Sequence, residues 1–236
     1  KNMNAIEYCV KSNNLKAMQY LLSLDGITKR YLSDSAADLC WRLVFWLFCG
    51  EDVSVEMIDF VLSALNIDNE KLIGLLSHVY VPATDEMKDE SPTKDDENQH
   101  HTILTGIAKR GELRILQKLV AMIGEDELVR RVFDVDRENV NMFEYCIRSK
   151  KTEMVQYLLS FELVRQQCMN EKDVLFRVVW WLCEEYDEAM AKFVVGGLQI
   201  NEAKLKELQG HQCKEDEQSS RSFASGAVVY SDKVVS

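Results

Sequence analysis

The sequence predicts an all-α protein built from repeated helix pairs, and three observations predict it. First, residues 4–23 (NAIEYCVKSNNLKAMQYLLS) recur at 141–160 (NMFEYCIRSKKTEMVQYLLS) without a gap. Asn4/Asn141, Glu7/Glu144, Tyr8/Tyr145, Cys9/Cys146, Ser12/Ser149 and the run Gln19–Ser23/Gln156–Ser160 are identical. A copy this close marks a repeat architecture, in which small units bury faces that none could bury alone. Second, the apolar residues fall in short paired stripes at helical spacing. Third, the 236 residues include only two prolines and ten glycines, while Leu, Met, Glu, Lys, Gln and Ala, all good helix formers, abound.

In the first unit Ile6, Cys9 and Val10 form one stripe, and Leu15, Met18, Leu21 and Leu22 form a second. Ser12-Asn13-Asn14 separates them, a run suited to a turn and a cap. Two short antiparallel helices follow. A second pair spans Val44–Phe48 and Val55–Leu65, and its echo lies at Arg177–Leu182 and Glu188–Leu198. Arg42/Arg177, Val44/Val179, Trp46/Trp181 and Leu47/Leu182 share one offset. Ile67, Lys71 and Leu72 match Ile200, Lys204 and Leu205 at an offset two residues shorter, so a connecting loop has changed length. A fifth unit, His101–Gly124, sits between the copies.

Residues 82–100 (PATDEMKDESPTKDDENQH) interrupt the pattern with seven acids and almost no apolar side chain, which predicts a disordered insertion. Ser91-Pro92 and Thr93-Lys94-Asp95-Asp96 within it resemble kinase substrate contexts. Residues 211–236 lose helical period and gain Ser, which predicts a flexible tail. The organisation expected is therefore repeats one and two over 1–81, the acidic insertion over 82–100, repeats three to five over 101–210, and the tail.

The central unit carries a family resemblance. Thr102, Leu104, Ala108, Gly111, Ile115, Leu116, Leu119 and Val120 resemble the ankyrin pattern T-P-L-H-x-A-A-x-x-G-H-x-E-I-V-x-x-L-L. In the same register Ile6, Cys9-Val10, Met18 and Leu21-Leu22 follow it in the first unit, and Phe143, Cys146-Ile147, Glu153, Met154-Val155 and Leu158-Leu159 in the fourth. The pattern Pro and His are missing, and its turn glycine survives only as Gly111, with Asn13 or Lys150 elsewhere. The chain resembles a divergent ankyrin-repeat protein over about residues 2–208, with enlarged loops between units. That resemblance implies an ankyrin-like solenoid of about five helix pairs; a TPR- or HEAT-like helical repeat is the alternative class.

Composition bounds the function. The net charge of −11 argues against a nucleic-acid backbone as partner, since phosphate binding needs clustered Lys and Arg. The most apolar stretch, Leu39–Cys49, contains Arg42 and is too short to span a bilayer. Seven cysteines, none as C-x-x-C, read as small buried hydrophobes in a reducing, intracellular and cytoplasmic setting. The four histidines supply no zinc-ligand spacing. No nucleotide-binding, hydrolase, metalloprotease or kinase motif occurs. No catalytic, metal-binding or cofactor-binding residue is expected.

The resemblance also gives a candidate site. In ankyrin-like repeats the two residues after Ala-Ala face the concave groove. Here they are Lys11-Ser12, Glu51-Asp52, Lys109-Arg110, Arg148-Ser149 and Glu184-Glu185. Their mixed sign suits an extended peptide of complementary charge. Of Trp41, Trp46, Trp180 and Trp181, one of each neighbouring pair is a candidate exposed anchor. The function expected is a monomeric, non-catalytic scaffold or adaptor that binds another protein; the alternative is the recognition arm of a larger enzyme or ubiquitin-ligase-type adaptor chain.

Overall fold

Short helices dominate because the sequence keeps breaking its own helical period. The computed structural model describes residues 3–32, 37–76, 101–184 and 187–209. The acidic insertion at 82–100 and the tail at 211–236, expected from sequence, lie outside the described residues, as do Glu185 and Cys213. The described elements are α-helices; the β-pairing given among the described residues is one isolated antiparallel bridge, Val135 with Asn141. Contacts divide the chain into two compact halves, Lys1–Met142 and Phe143–Ser236.

The first half holds α1 (Ala5–Lys11), α2 (Leu15–Leu22), α3 (Asp25–Leu32), α4 (Ala37–Cys49), α5 (Val55–Ala64) and α6 (Asn69–Leu76). After the undescribed segment come α7 (Ile103–Arg110), α8 (Leu113–Ile123) and α9 (Glu125–Arg131). Helix α10 (Met142–Arg148) opens the second half, followed by α11 (Thr152–Ser160), α12 (Glu162–Asn170), α13 (Lys172–Glu184), α14 (Glu188–Gly197) and α15 (Glu202–Gln209). The expected helix pairs are thus helix triplets. The segments read as enlarged loops between units form α3, α6, α9, α12 and α15. The helices α3 and α12 were hard to see because they are polar and brief: among side chains of described burial, DGITKRYL buries Tyr31 and ELVRQQCMN buries Val164 and Cys168.

The turns explain why each helix stops. Asn13, Asn66, Lys150 and Gln199 all have positive φ, between 45° and 55°. In each case the left-handed residue closes a Schellman cap. Asn13 N–H donates to Val10 O and Asn14 N–H to Cys9 O; Lys150 donates to Ile147 O and Lys151 to Cys146 O. Asn66 and Ile67 repeat this on Ser63 and Leu62, and Gln199 and Ile200 on Gly196 and Val195. Such caps satisfy carbonyls that a helix end leaves open. Gly111, at φ 77°, fills the same place after α7 with one bond to Ile107 O. Glycine is thus absent from most of these turns while its conformation is kept.

At seven or eight residues, α1, α2 and α10 are too short to persist alone in water. Packing holds them. In the first half α1 lies on α2 and α4, α2 on α5, α4 on α7, and α6 on α7 and α8. In the second half α11 packs on α12 and α14, and α12 on α13. The approach of α4 to α7 is close: a Cβ added at Gly106 would overlap the Cys49 sulfur and come within 3.1 Å of Phe45.

Both halves carry the same buried ion pair. Arg42 Nη2 meets Glu7 Oε2 at 2.8 Å, and Arg177 Nε meets Glu144 Oε1 at 2.7 Å, with both carboxylates fully buried. Glu7 also closes a capping box with Asn4: Glu7 N–H donates to Asn4 Oδ1 at 3.0 Å, and Asn4 N–H to Glu7 Oε2 at 3.1 Å. The Tyr31 hydroxyl reaches Asn4 Oδ1 at 3.3 Å. Cys168 takes the place of Tyr31 in the second copy and is fully buried.

Candidate partner-binding surface

The candidate site grows from helix ends. Lys11 closes α1, is exposed, and places its Nζ 5.6 Å from the centre of the Trp46 ring on α4. The equivalent Arg148 closes α10, is exposed, and sits 4.7 Å above the Trp181 ring on α13. Each half therefore presents a cation over a half-buried indole, an arrangement favoured by the ring quadrupole. Of the first tryptophan pair, Trp41 is buried and stacks on Phe45, while Trp46 reaches the surface. In the second pair both rings are half-buried and meet edge to face at 4.5 Å.

Neighbouring helix ends are tied together in the first half. Asn13 Oδ1 accepts from Ser54 N–H at 3.1 Å, joining the turn after α1 to the turn after α4. Arg110 joins α7 to that same turn. Lys11, Ser12, Trp46, Glu51, Asp52 and Lys109 accordingly share one edge, and all but the half-buried Trp46 are exposed. Ser12 caps α1, its hydroxyl donating to Tyr8 O at 2.8 Å. In the second half Arg148, Ser149 and Glu184 are exposed.

Arg110 corrects the sequence expectation. Its side chain is only 1% exposed and does not face a groove. Nη2 donates to Val53 O at 2.8 Å, Nη1 to Phe48 O at 3.4 Å, and Nη2 pairs with Glu112 at 3.1 Å. Phe48 O is among the last carbonyls of α4, where a cation also favours the helix dipole. Burial would raise the Glu112 carboxyl, but hydrogen bonds from Arg114 and Arg110 outweigh it and hold it low.

Among the described residues, no group of three or more His, Cys, Asp or Glu side chains could hold a metal ion. Burial pushes the Cys146 and Cys168 thiols up to about 12 and the Cys183 thiol to about 11. His101 Nδ1 and Asp136 Oδ2 form a buried pair at 2.9 Å, and Asp136 Oδ1 accepts from Glu138 and Val140 N–H. With its carboxylate holding its own turn, Asp136 is a structural anchor. No described helix is long and apolar enough to cross a membrane.

Comparison with known proteins returns no match: no family model, curated protein or solved structure resembles the chain.

Sequence reasoning missed two features. The cation–indole pairs join residues 35 and 33 positions apart, and their signal was the match of Lys11 to Arg148 at an offset of 137 and of Trp46 to Trp181 at an offset of 135. The second is the unequal burial of identical tyrosines: Tyr8 is 65% exposed and Tyr145 only 8%. Sequence identity carries no trace of that difference.

Proposed function

We propose that the chain is a non-catalytic protein-binding module of ankyrin-like three-helix units, in which partners dock at the ends of α1, α4 and α7 in the first half and, separately, at the ends of their counterparts α10 and α13 in the second. The observation that carries this reading is the cation-over-indole pair found in both copies. Tryptophan and arginine dominate binding hot spots because they bury large surfaces and keep a polar handle. Exposed charges of both signs beside the ring suit partner selection and association rate. The short first helices α1, α7 and α10, each followed by a left-handed turn residue, support the ankyrin-like class over TPR or HEAT, whose helices are longer; α4 and α13, at 13 residues each, are longer than these three. The free state of the six described cysteines supports a reducing compartment.

Affinity capture from cells that express the protein tests the reading. The bait should be the intact chain beside a variant carrying Lys11→Glu, Trp46→Ala, Arg148→Glu and Trp181→Ala. Proteins captured by the wild type and lost with the variant are expected. An unchanged set of captured proteins would refute the assignment of this edge.

A further inference from the structure

The turns that follow α1 and α10 share one backbone and differ in their side chains. Asn13 and Lys150 are both left-handed, at φ 46° and 55°, and both turns close with the same pair of hydrogen bonds. In the first copy the two asparagines are engaged within the protein. Asn13 Oδ1 accepts from Ser54 N–H at 3.1 Å, and Asn14 Oδ1 caps α2 by accepting from Ala17 N–H at 3.0 Å. In the central unit Gly111 has no side chain, and Glu112, in the place of Asn14, pairs with Arg110 and Arg114. In the second copy Lys150 and Lys151 take these places, and an ammonium group accepts no hydrogen bond. Lys151 accordingly leaves α11 without a side-chain cap. Both replacements cost local stability: a lost cap weakens a helix, and Lys strains a left-handed conformation that Asn or Gly holds readily.

With Arg148, the two lysines place three cations within four residues. Arg148 and Lys150 are exposed, Lys151 is half-buried, and among the described residues none of the three carries an ion pair. The other exposed cations described in this half, Lys172, Lys192 and Lys206, pair with Glu207, Glu188 and Glu202. Glu153 on α11 and Glu184 at the end of α13 are exposed and pair with none of the three. Arg148 is held instead by the Trp181 ring at 4.7 Å, which orients the guanidinium and, unlike an ion pair, leaves its charge for a carboxylate from outside. We infer that the turn Arg148–Lys151 takes an acidic peptide, a run of Asp or Glu side chains on a partner protein, and that the matching turn built from Asn13 and Asn14 does not. This rests on the reading of the α10 and α13 ends as a docking edge and gives that edge its partner class. At about 0.15 M ionic strength fields fade over about 8 Å, so this local cluster, not the net charge of −11, decides what docks.

A backbone-amide NMR titration of the intact chain tests the inference. The probe is an acetylated, amidated hexaglutamate peptide, raised to about 5 mM, a range that reaches millimolar affinity. Saturating shifts centred on the amides of Arg148–Thr152 are expected. Lys150→Asn, Lys151→Asn writes the first turn into the second and supplies a capping side chain, so it should fold at least as well, as circular dichroism can check. It should bind the peptide at least about fivefold more weakly, as the loss of two exposed ion pairs implies. Lys192→Asn, Lys206→Asn removes the same charge from α14 and α15 and should bind like the wild type. Shifts that do not saturate, shifts centred elsewhere, undiminished binding by the turn variant or equal weakening by the control each overturn the inference. The docking edge is judged separately by capture. Proteins released by Arg148→Glu, Trp181→Ala but kept by Lys150→Asn, Lys151→Asn would leave the edge standing and overturn its acidic partner class alone.

Discussion

At the scale of single residues, adjacent side chains of like charge have opposite roles. Lys109 is exposed, whereas Arg110 is buried on the carbonyls that end α4. Arg110→Ala should cost about 2 to 3 kcal/mol, because it strands buried carbonyls and a charged partner. Lys109→Ala should stay within about 0.5 kcal/mol. Chemical denaturation of the two variants separates them, and similar losses would show that Arg110 is not the clamp described. The thiols give a second residue-scale expectation. At pH 8 a thiol with a pKa of about 12 is ionised in only about one molecule in ten thousand. Cys146 and Cys168 should therefore resist alkylation in the native protein and react once it is unfolded, as read by mass spectrometry. Unfolded thiols ionise above about pH 8.5, so over the interval up to about 12 the unfolded state binds fewer protons than the folded one. The stability these buried thiols contribute is complete below that interval and falls as pH rises through it.

At the scale of elements, the helix ends are kept while their residues change. The left-handed turn residue is Asn13, Gly111 or Lys150 in equivalent places. A Lys in that conformation carries a steric cost of about 1 to 2 kcal/mol that glycine avoids. Lys150→Gly should accordingly stabilise the second half by up to about 1 kcal/mol, the rest being offset by glycine's greater freedom when unfolded. A thermal or urea midpoint that falls instead would contradict the shared-turn geometry. Much at this scale was readable from sequence. The stripe at Ile6, Cys9 and Val10 is buried as expected, and of the second stripe Met18 and Leu22 are buried while Leu15 and Leu21 are half-buried. The third helices α3 and α12 were not readable, because their polar sequences offer few buried side chains of described burial and no clear stripe. Arg110 was misplaced for a related reason: register assigns a position to a helix end, but the fate of a long side chain depends on which neighbouring carbonyls it can reach.

At the scale of the whole molecule, one module is written repeatedly and varied at its faces. The ion pairs Glu7–Arg42 and Glu144–Arg177 show how far the copies agree, since each joins two triplets through a fully buried carboxylate. Removing one partner of such a pair commonly costs about 3 to 5 kcal/mol, because a charge is left without compensation. Arg177→Met should therefore destabilise the chain strongly, and Glu144→Gln added to it should recover part of the loss; a double variant no better than the single one would count against the pair. The duplication, visible in sequence, is also what makes the candidate surface stand out, because the same cation-over-indole arrangement is built twice from different neighbours. The most direct test is a calorimetric titration of a captured partner into the wild type, the Trp46→Ala, Trp181→Ala variant and the remote Lys206→Glu control. The surface described here requires affinity to fall about tenfold or more in the tryptophan variant, a loss of about 1.4 kcal/mol or greater, with the control unchanged. Equal affinity for all three proteins would contradict it.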